Sequence, residues 1–169
     1  MRFSGLALIA SAAVLGACGG GGDKGAATTD TAAAKSAPTP TTGAPAAGAV
    51  AAKPATGKTV EVKMIGDGTN YKFEPANITV KEGDNVKFVN VGPVGPHNVT
   101  FNADSIPAAG RAQLTANMPS QMSDLSGPLL SAPNETYEIS TAGVAPGKYP
   151  FYCSPHLAMN MKGVLTITP

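Results

Sequence analysis

Apolar and polar residues alternate in short segments over the last two thirds of the chain. Val60, Val62 and Met64 alternate with Glu61 and Lys63, which is typical of a strand with one buried face. Similar short apolar or alternating runs return at residues 78–80, 86–90, 97–101, 136–140, 148–153 and 164–168. Gly, Pro, Asn and Asp stand between most of them, as in turns. The pattern predicts an all-β fold, an antiparallel sandwich or barrel, over residues 58–169.

The segment 102–133 interrupts this alternation. It is rich in Ala, Ser, Pro and Met and contains no sustained helical or strand period. We expect a loop there, with one helical turn around residues 108–116.

The first residues have the composition of an export signal. Residues 1–17 begin with Met1-Arg2 and continue with an apolar run that is too short to span a bilayer. The run ends in Leu-Gly-Ala-Cys, which resembles a bacterial lipobox, and this implies acylation of Cys18. The alternative is an ordinary signal peptide that contains a cysteine. The favoured interpretation predicts a protein on the periplasmic side of the cell envelope, held to a bacterial membrane by its lipid.

Residues 18–57 have the composition of a tether. They contain a run of four glycines, a run of three alanines and Pro-Thr-Pro, with hardly a large apolar side chain. Such a segment cannot bury enough apolar surface to offset the entropy lost on ordering. We therefore expect a disordered linker between Cys18 and a folded domain over residues 58–169.

The candidate chemistry lies in two distant segments of this domain. They hold both histidines of the chain, His97 and His156, together with Cys153 and two methionines. Ser154-Pro155 forces a turn, so that Cys153 and His156 can bind one metal ion from its two sides. Two imidazoles, a thiolate and a thioether form the ligand set of a blue copper site. Met161 is favoured over Met159 as the thioether because it directly precedes Lys-Gly and the last strand, but the alternative stays open.

These motifs resemble those of the plastocyanin-like blue copper proteins of the cupredoxin family. The resemblance is carried by Phe-Tyr-Cys-Ser-Pro-His at 151–156, by Gly-Pro-His-Asn-Val at 95–99 and by Asn-Glu-Thr-Tyr-Glu at 134–138. It implies a Greek-key β-sandwich with one type 1 copper ion bound by His97, Cys153, His156 and Met161. It also implies a one-electron carrier rather than an enzyme.

The resemblance implies further roles near the site. Asn98, with Pro96 beside it, would support the ligand loops, and Tyr152 would belong to a second route for electrons. His156 should emerge through an apolar surface with Leu157 and Met159, where redox proteins dock transiently. In the family, segment 102–133 carries acidic docking residues.

The charge of the domain favours apolar docking, and we expect the protein to be a monomer. This chain has only Asp104 and Asp124 in the acidic docking segment. Eight basic and nine acidic residues are spread from Lys58 onward without a block of one sign, so nucleic acid is not an expected partner.

Two other functions use similar ligands. A zinc hydrolase can bind its ion through Cys and His, but it needs an open water position and usually a carboxylate base. No Asp or Glu follows Cys153, and none stands between His97 and Asp104. A periplasmic protein for copper storage or delivery would prefer an open or Met-rich site. The sequence therefore favours the electron carrier.

Overall fold

The computed structural model describes residues 50–93 and 95–169. The predicted signal peptide, Cys18 and most of the predicted tether lie outside these residues. Within them, no helix has the length and apolar character needed to cross a membrane.

Two four-stranded sheets make up the described domain. Its elements in chain order are β1 (Thr59–Gly66), β2 (Tyr71–Glu74), β3 (Asn77–Lys81), β4 (Asn85–Asn90), β5 (Thr100–Phe101), α1 (Ala108–Asn117), β6 (Thr136–Ser140), β7 (Gly147–Tyr152) and β8 (Lys162–Thr168). The first sheet has the order β2-β1-β4-β6 and the second the order β3-β8-β7-β5. The prediction of an all-β sandwich is confirmed.

The alternation predicts antiparallel strand pairs, but two of the pairs are parallel. β1 runs parallel to β4, with Thr59 opposite Asn85, and β3 runs parallel to β8, with Asn77 opposite Val164. Alternation indicates which face of a strand is buried, but it carries no information on the direction of the neighbouring strand. The expectation was therefore wrong for these two pairs.

Aromatic side chains between the sheets fix the position of β7. The ring of Phe151 lies edge-on to three others, at centroid distances of 4.8 Å from Phe73, 5.6 Å from Phe88 and 5.9 Å from Phe101. All four side chains are buried. Edge-to-face contacts of this kind are specific in geometry as well as apolar. Because Phe151 stands two residues before Cys153, this packing also fixes where the chain leaves β7.

β2 and α1 exceed what the sequence predicted. β2 was missed because Pro75 follows it, although Tyr71 and Phe73 alternate there with exposed polar residues. α1 has ten residues instead of one turn. Its buried face includes Leu114 as its one large apolar residue, beside Gly110, Gln113 and Asn117, so helical periodicity is weak in the sequence.

A segment ahead of β1, residues 51–57, is bonded to the sandwich. The backbone N–H of Lys53 donates to Asn117 Oδ1 at 2.8 Å, and Gln113 Nε2 donates to the carbonyl of Ala51 at 2.9 Å. Buried amides that bond to a passing backbone hold it in one path. Within the described residues, the folded unit thus includes these positions, which precede the predicted boundary at 58.

Candidate metal centre

Cys153, His156 and Met161 lie in the connection between β7 and β8. The N–H of Cys153 donates to the carbonyl of Met161 at 3.0 Å, and the N–H of Met161 donates to the carbonyl of His156 at 3.2 Å. A 3-10 turn at Leu157–Met159 stands between them and ends at Asn160, whose φ of 62° is left-handed. Asn tolerates this conformation better than most residues. The loop is therefore closed by its own backbone.

His97 is held by a different part of the chain. Its N–H donates to the carbonyl of Leu130 at 3.0 Å, and the N–H of Leu130 donates back at 2.8 Å. The buried amide of Asn90 donates to the carbonyls of Leu130 and Ala132, at 3.2 and 3.1 Å. His97 therefore lies in an isolated bridge rather than in the predicted strand 97–101, of which only β5 is regular.

The two segments bring three ligand atoms together in the interior. Cys153 Sγ lies 3.7 Å from His97 Nδ1 and 3.4 Å from His156 Nδ1, and the two Nδ1 atoms are 3.2 Å apart. Atoms bound to one ion through bonds of about 2.0–2.3 Å stand about 3–4 Å from each other. Both imidazoles point the same type of nitrogen inward beside a soft sulfur. This donor set fits copper.

The similarity of the chain to known proteins agrees with this donor set. Residues 60–168 match the model of the copper binding proteins of the plastocyanin/azurin family. The chain belongs to this family. It is a blue copper electron carrier of the cupredoxin type, with one type 1 copper ion as its cofactor, as the sequence predicted. Cupredoxins of this kind are electron carriers rather than enzymes.

Individual relatives agree with this assignment. The plastocyanin of Synechococcus sp. (strain JA-2-3B'a(2-13)) is 36% identical over 114 residues, which are 68% of this chain and 76% of that protein. The plastocyanin of Rumex obtusifolius is 36% identical over 108 residues, 64% of this chain and 99% of that protein. The solved structure of oxidised plastocyanin from Dryopteris crassirhizoma superposes with a TM-score of 0.50 and 31% identity, covering 64% of this chain and all of that one.

Burial sets the protonation of the inward-facing groups in the cupredoxin domain. Burial raises the pKa of the Cys153 thiol. Hydrogen bonds from the backbone N–H groups of Asn98 and His156 lower this pKa and so offset part of the rise. Burial also lowers the pKa of His156. The imidazole is thus kept neutral, which is its ligand form, whereas the thiol keeps its proton until a cation displaces it.

A polar network joins the loop after His97 to the loop after Cys153. Asn98 Oδ1 accepts the backbone N–H of Ser154 at 2.8 Å, and Thr100 Oγ1 lies 2.8 Å from Ser154 Oγ and 2.9 Å from Ser126 Oγ. Asn98 Nδ2 faces the same hydroxyl groups at 3.2–3.4 Å. These contacts are consistent with the supporting role expected of Asn98. Pro96, the other residue expected to act there, has an exposed side chain.

The two methionines of the loop have opposite environments. Met161 is fully buried and belongs to the same core cluster as Cys153, whereas Met159 is 48% exposed. The difference arises because Met159 is on the 3-10 turn that faces outward, while Met161 follows Asn160 back into the sandwich. Its burial in the same cluster as Cys153 supports Met161 in the choice that the sequence left open.

An aromatic side chain that the sequence analysis missed covers His156. The ring of Tyr71 stacks on the imidazole at a centroid distance of 3.9 Å and an interplanar angle of 18°. His156 is only 6% exposed, although it was expected to emerge at the surface. The alternation of Tyr71 and Phe73 was the available signal, because it predicts an edge strand at this position.

Exposed apolar side chains nevertheless stand near the site. Leu157 is 43% and Met159 48% exposed, as the proposed surface requires. Val91, directly after Asn90, and Leu129, directly before Leu130, are also exposed and were missed. We call these four side chains the apolar face. Tyr152 at the end of β7 is half-buried.

Glycine should be required at position 95 for two reasons, its backbone conformation and its contact with His156. Its φ is +80°, and an added Cβ would lie 3.2 Å from Cε1 and Nε2 of His156. We expect Gly95→Ala to lower the unfolding free energy by roughly 1–2 kcal/mol through the left-handed backbone. It should also lower copper affinity roughly tenfold by displacing the imidazole. Denaturant unfolding and a competition titration with a copper chelator measure the two effects.

Gly68→Ala is the matched control. Gly68 has a φ of +94°, but an added Cβ would meet no atom within 4 Å. Gly68→Ala should lower the unfolding free energy by a similar amount and leave the copper affinity unchanged. Equal affinities in the two variants would contradict a contact between residue 95 and the imidazole.

Proposed function

We propose that His97, Cys153, His156 and Met161 hold the copper ion of this electron carrier. The observation that carries the proposal is the convergence of the Cys153 sulfur and the two Nδ1 atoms within 4 Å of one another. The bound ion supplies a couple between Cu(I) and Cu(II) that accepts and releases one electron.

The protein's contribution is to hold four ligands in one arrangement. Cys153, His97 and Met161 are fully buried, and His156 nearly so. All four ligands come from the chain, so no open position is kept for water or substrate. The backbone bonds of Cys153 with Met161, and of His97 with Leu130, do not involve the metal, so we expect them to persist in both redox states. Such a site favours electron exchange over catalysis.

Metal binding must release the thiol proton. Because burial raises the pKa of Cys153, the thiol is the stable form of the metal-free site at neutral pH. Copper affinity should accordingly rise with pH, since fewer protons compete for the sulfur.

Two single variants test the ligand set. Cys153→Ser should abolish the blue absorption of the oxidised protein, because this colour is charge transfer from the thiolate. Met161→Gln should keep a coloured site but lower the reduction potential, since an oxygen donor favours Cu(II) over Cu(I). Absorption spectra and voltammetry of the full chain measure these changes.

Met159→Gln is the control for the axial position. Its side chain is 48% exposed, so the potential should change much less. A blue Cys153→Ser variant would contradict the ligand set, and a larger effect of Met159→Gln would transfer the axial role to Met159.

We propose further that redox partners dock on the apolar face. Its four side chains carry no charge, and the acidic and basic residues of the domain are dispersed. Electrostatic steering needs a concentrated field of one sign, and salt screens it over about 8 Å near physiological ionic strength. Docking should then be brief and nearly independent of salt. Tyr152 could serve a second partner site, as the family resemblance implies.

Electron self-exchange between oxidised and reduced copies tests this surface before a partner is known. Leu157→Glu should slow self-exchange roughly tenfold, because a carboxylate must lose its water in the contact. Val50→Glu is the matched control, since Val50 is 45% exposed against 43% for Leu157 but precedes the segment bonded to α1. NMR line broadening gives the rates. A steep dependence on salt would show that docking is electrostatic, and equal rates in both variants would place docking elsewhere.

The location of the carrier is proposed from residues outside the described part of the chain. The lipobox-like sequence before Cys18 supports export and acylation, with the domain at the periplasmic side of a membrane. Cys18→Ser should release the protein from the membrane fraction or block its processing. Wild-type protein found wholly in the soluble periplasmic fraction would favour the ordinary signal peptide.

A further inference from the structure

The imidazole ring of His156 has neighbours at two of its edges and on one face, and these contacts can determine its orientation. Its Nδ1 faces Cys153 and His97, and its Cε1 and Nε2 face the backbone of Gly95. One face of the ring is covered by Tyr71, nearly parallel at 3.9 Å. The exposed fraction of 6% follows from this enclosure.

The backbone alone does not determine how the imidazole is turned. The side-chain torsion next to an imidazole ring is broad and roughly two-fold, so the plane of the ring must be set by its contacts. The side chains just before and after His156, those of Pro155 and Leu157, are exposed and leave this task to residues from elsewhere. Tyr71 is suited to it because it opens β2, where it pairs with Gly66 of β1, and is half-buried.

We propose that Tyr71 is a positioning residue for His156. Its ring holds the imidazole in the plane that directs Nδ1 toward Cys153, and it places an aromatic ring over the ligand on the side of the edge strand. The inference rests on the proposed ligand role of His156. The ring carries the effect, since the Tyr71 hydroxyl makes no hydrogen bond within residues 50–93 and 95–169.

The test uses the full chain loaded with Cu(I), whose NMR spectrum is not broadened by the metal. In the wild type, the ring protons of His156 should be shifted upfield by the ring current of Tyr71 and should show nuclear Overhauser contacts to it. Tyr71→Phe should keep the shift, and Tyr71→Leu should lose it. Lys72→Ala, at the next and exposed residue of β2, should leave it unchanged.

Release of Cu(I) to a chelator is the second measurement. Loss of an aromatic pair should speed release roughly two- to tenfold in Tyr71→Leu, and Tyr71→Phe should restore the wild-type rate. If Tyr71 only stabilised β2, neither the release rate of Cu(I) nor the chemical shift of the His156 ring protons would depend on an aromatic ring at residue 71.

The outcomes separate this inference from the ligand proposal. Absence of the upfield shift and contacts in the wild type would overturn the inference, even if Tyr71→Leu failed to fold. Wild-type behaviour of Tyr71→Leu, or equal losses in the Phe and Leu variants, would also overturn it. A blue Cys153→Ser variant would instead overturn the ligand set on which both proposals rest.

Discussion

The convergence of a sulfur and two imidazole nitrogens is the constraint on which the rest of the domain depends. The two Nδ1 atoms stand 3.2 Å apart in a site that almost excludes water. In the absence of an ion, a proton on a ring nitrogen or on the sulfur holds these atoms at hydrogen-bonding distance. A bound ion contacts all three atoms at once. Its binding energy should therefore add directly to the stability of the folded state.

The scaffold holds this arrangement by dividing the ligands between independent segments. His97 is fixed through Leu130, which the buried amide of Asn90 holds in turn. The other ligands lie between β7 and β8, where Phe151 anchors the exit of the chain in the aromatic core. Each segment is thus held by backbone bonds of its own. The network around Asn98 then joins the two loops directly.

The chemistry of the site could be predicted because its residue types are scarce in this sequence. Two histidines and one cysteine in the domain leave few alternatives, and a Cys-x-x-His turn is a local feature. Tyr71 was missed because its role arises between distant segments, β2 and the β7–β8 loop, which no local pattern connects. The parallel pairing of β1 with β4 was missed for the same reason. α1 was underestimated because buried amides, rather than apolar side chains, line much of its inner face.

The segment at residues 51–57 is attached to the end of the domain opposite the metal centre. Asn117, which holds it, also donates to the carbonyl of Ser140 at the end of β6. β6 begins at Thr136, opposite Val89 near the metal end of β4, and ends at Ser140, opposite Asn85 at the other end. A strand as long as β4 spans about 17 Å between its ends. Force applied to the backbone at residues 51–57 would therefore enter the sandwich at the end distant from His97, Cys153 and His156.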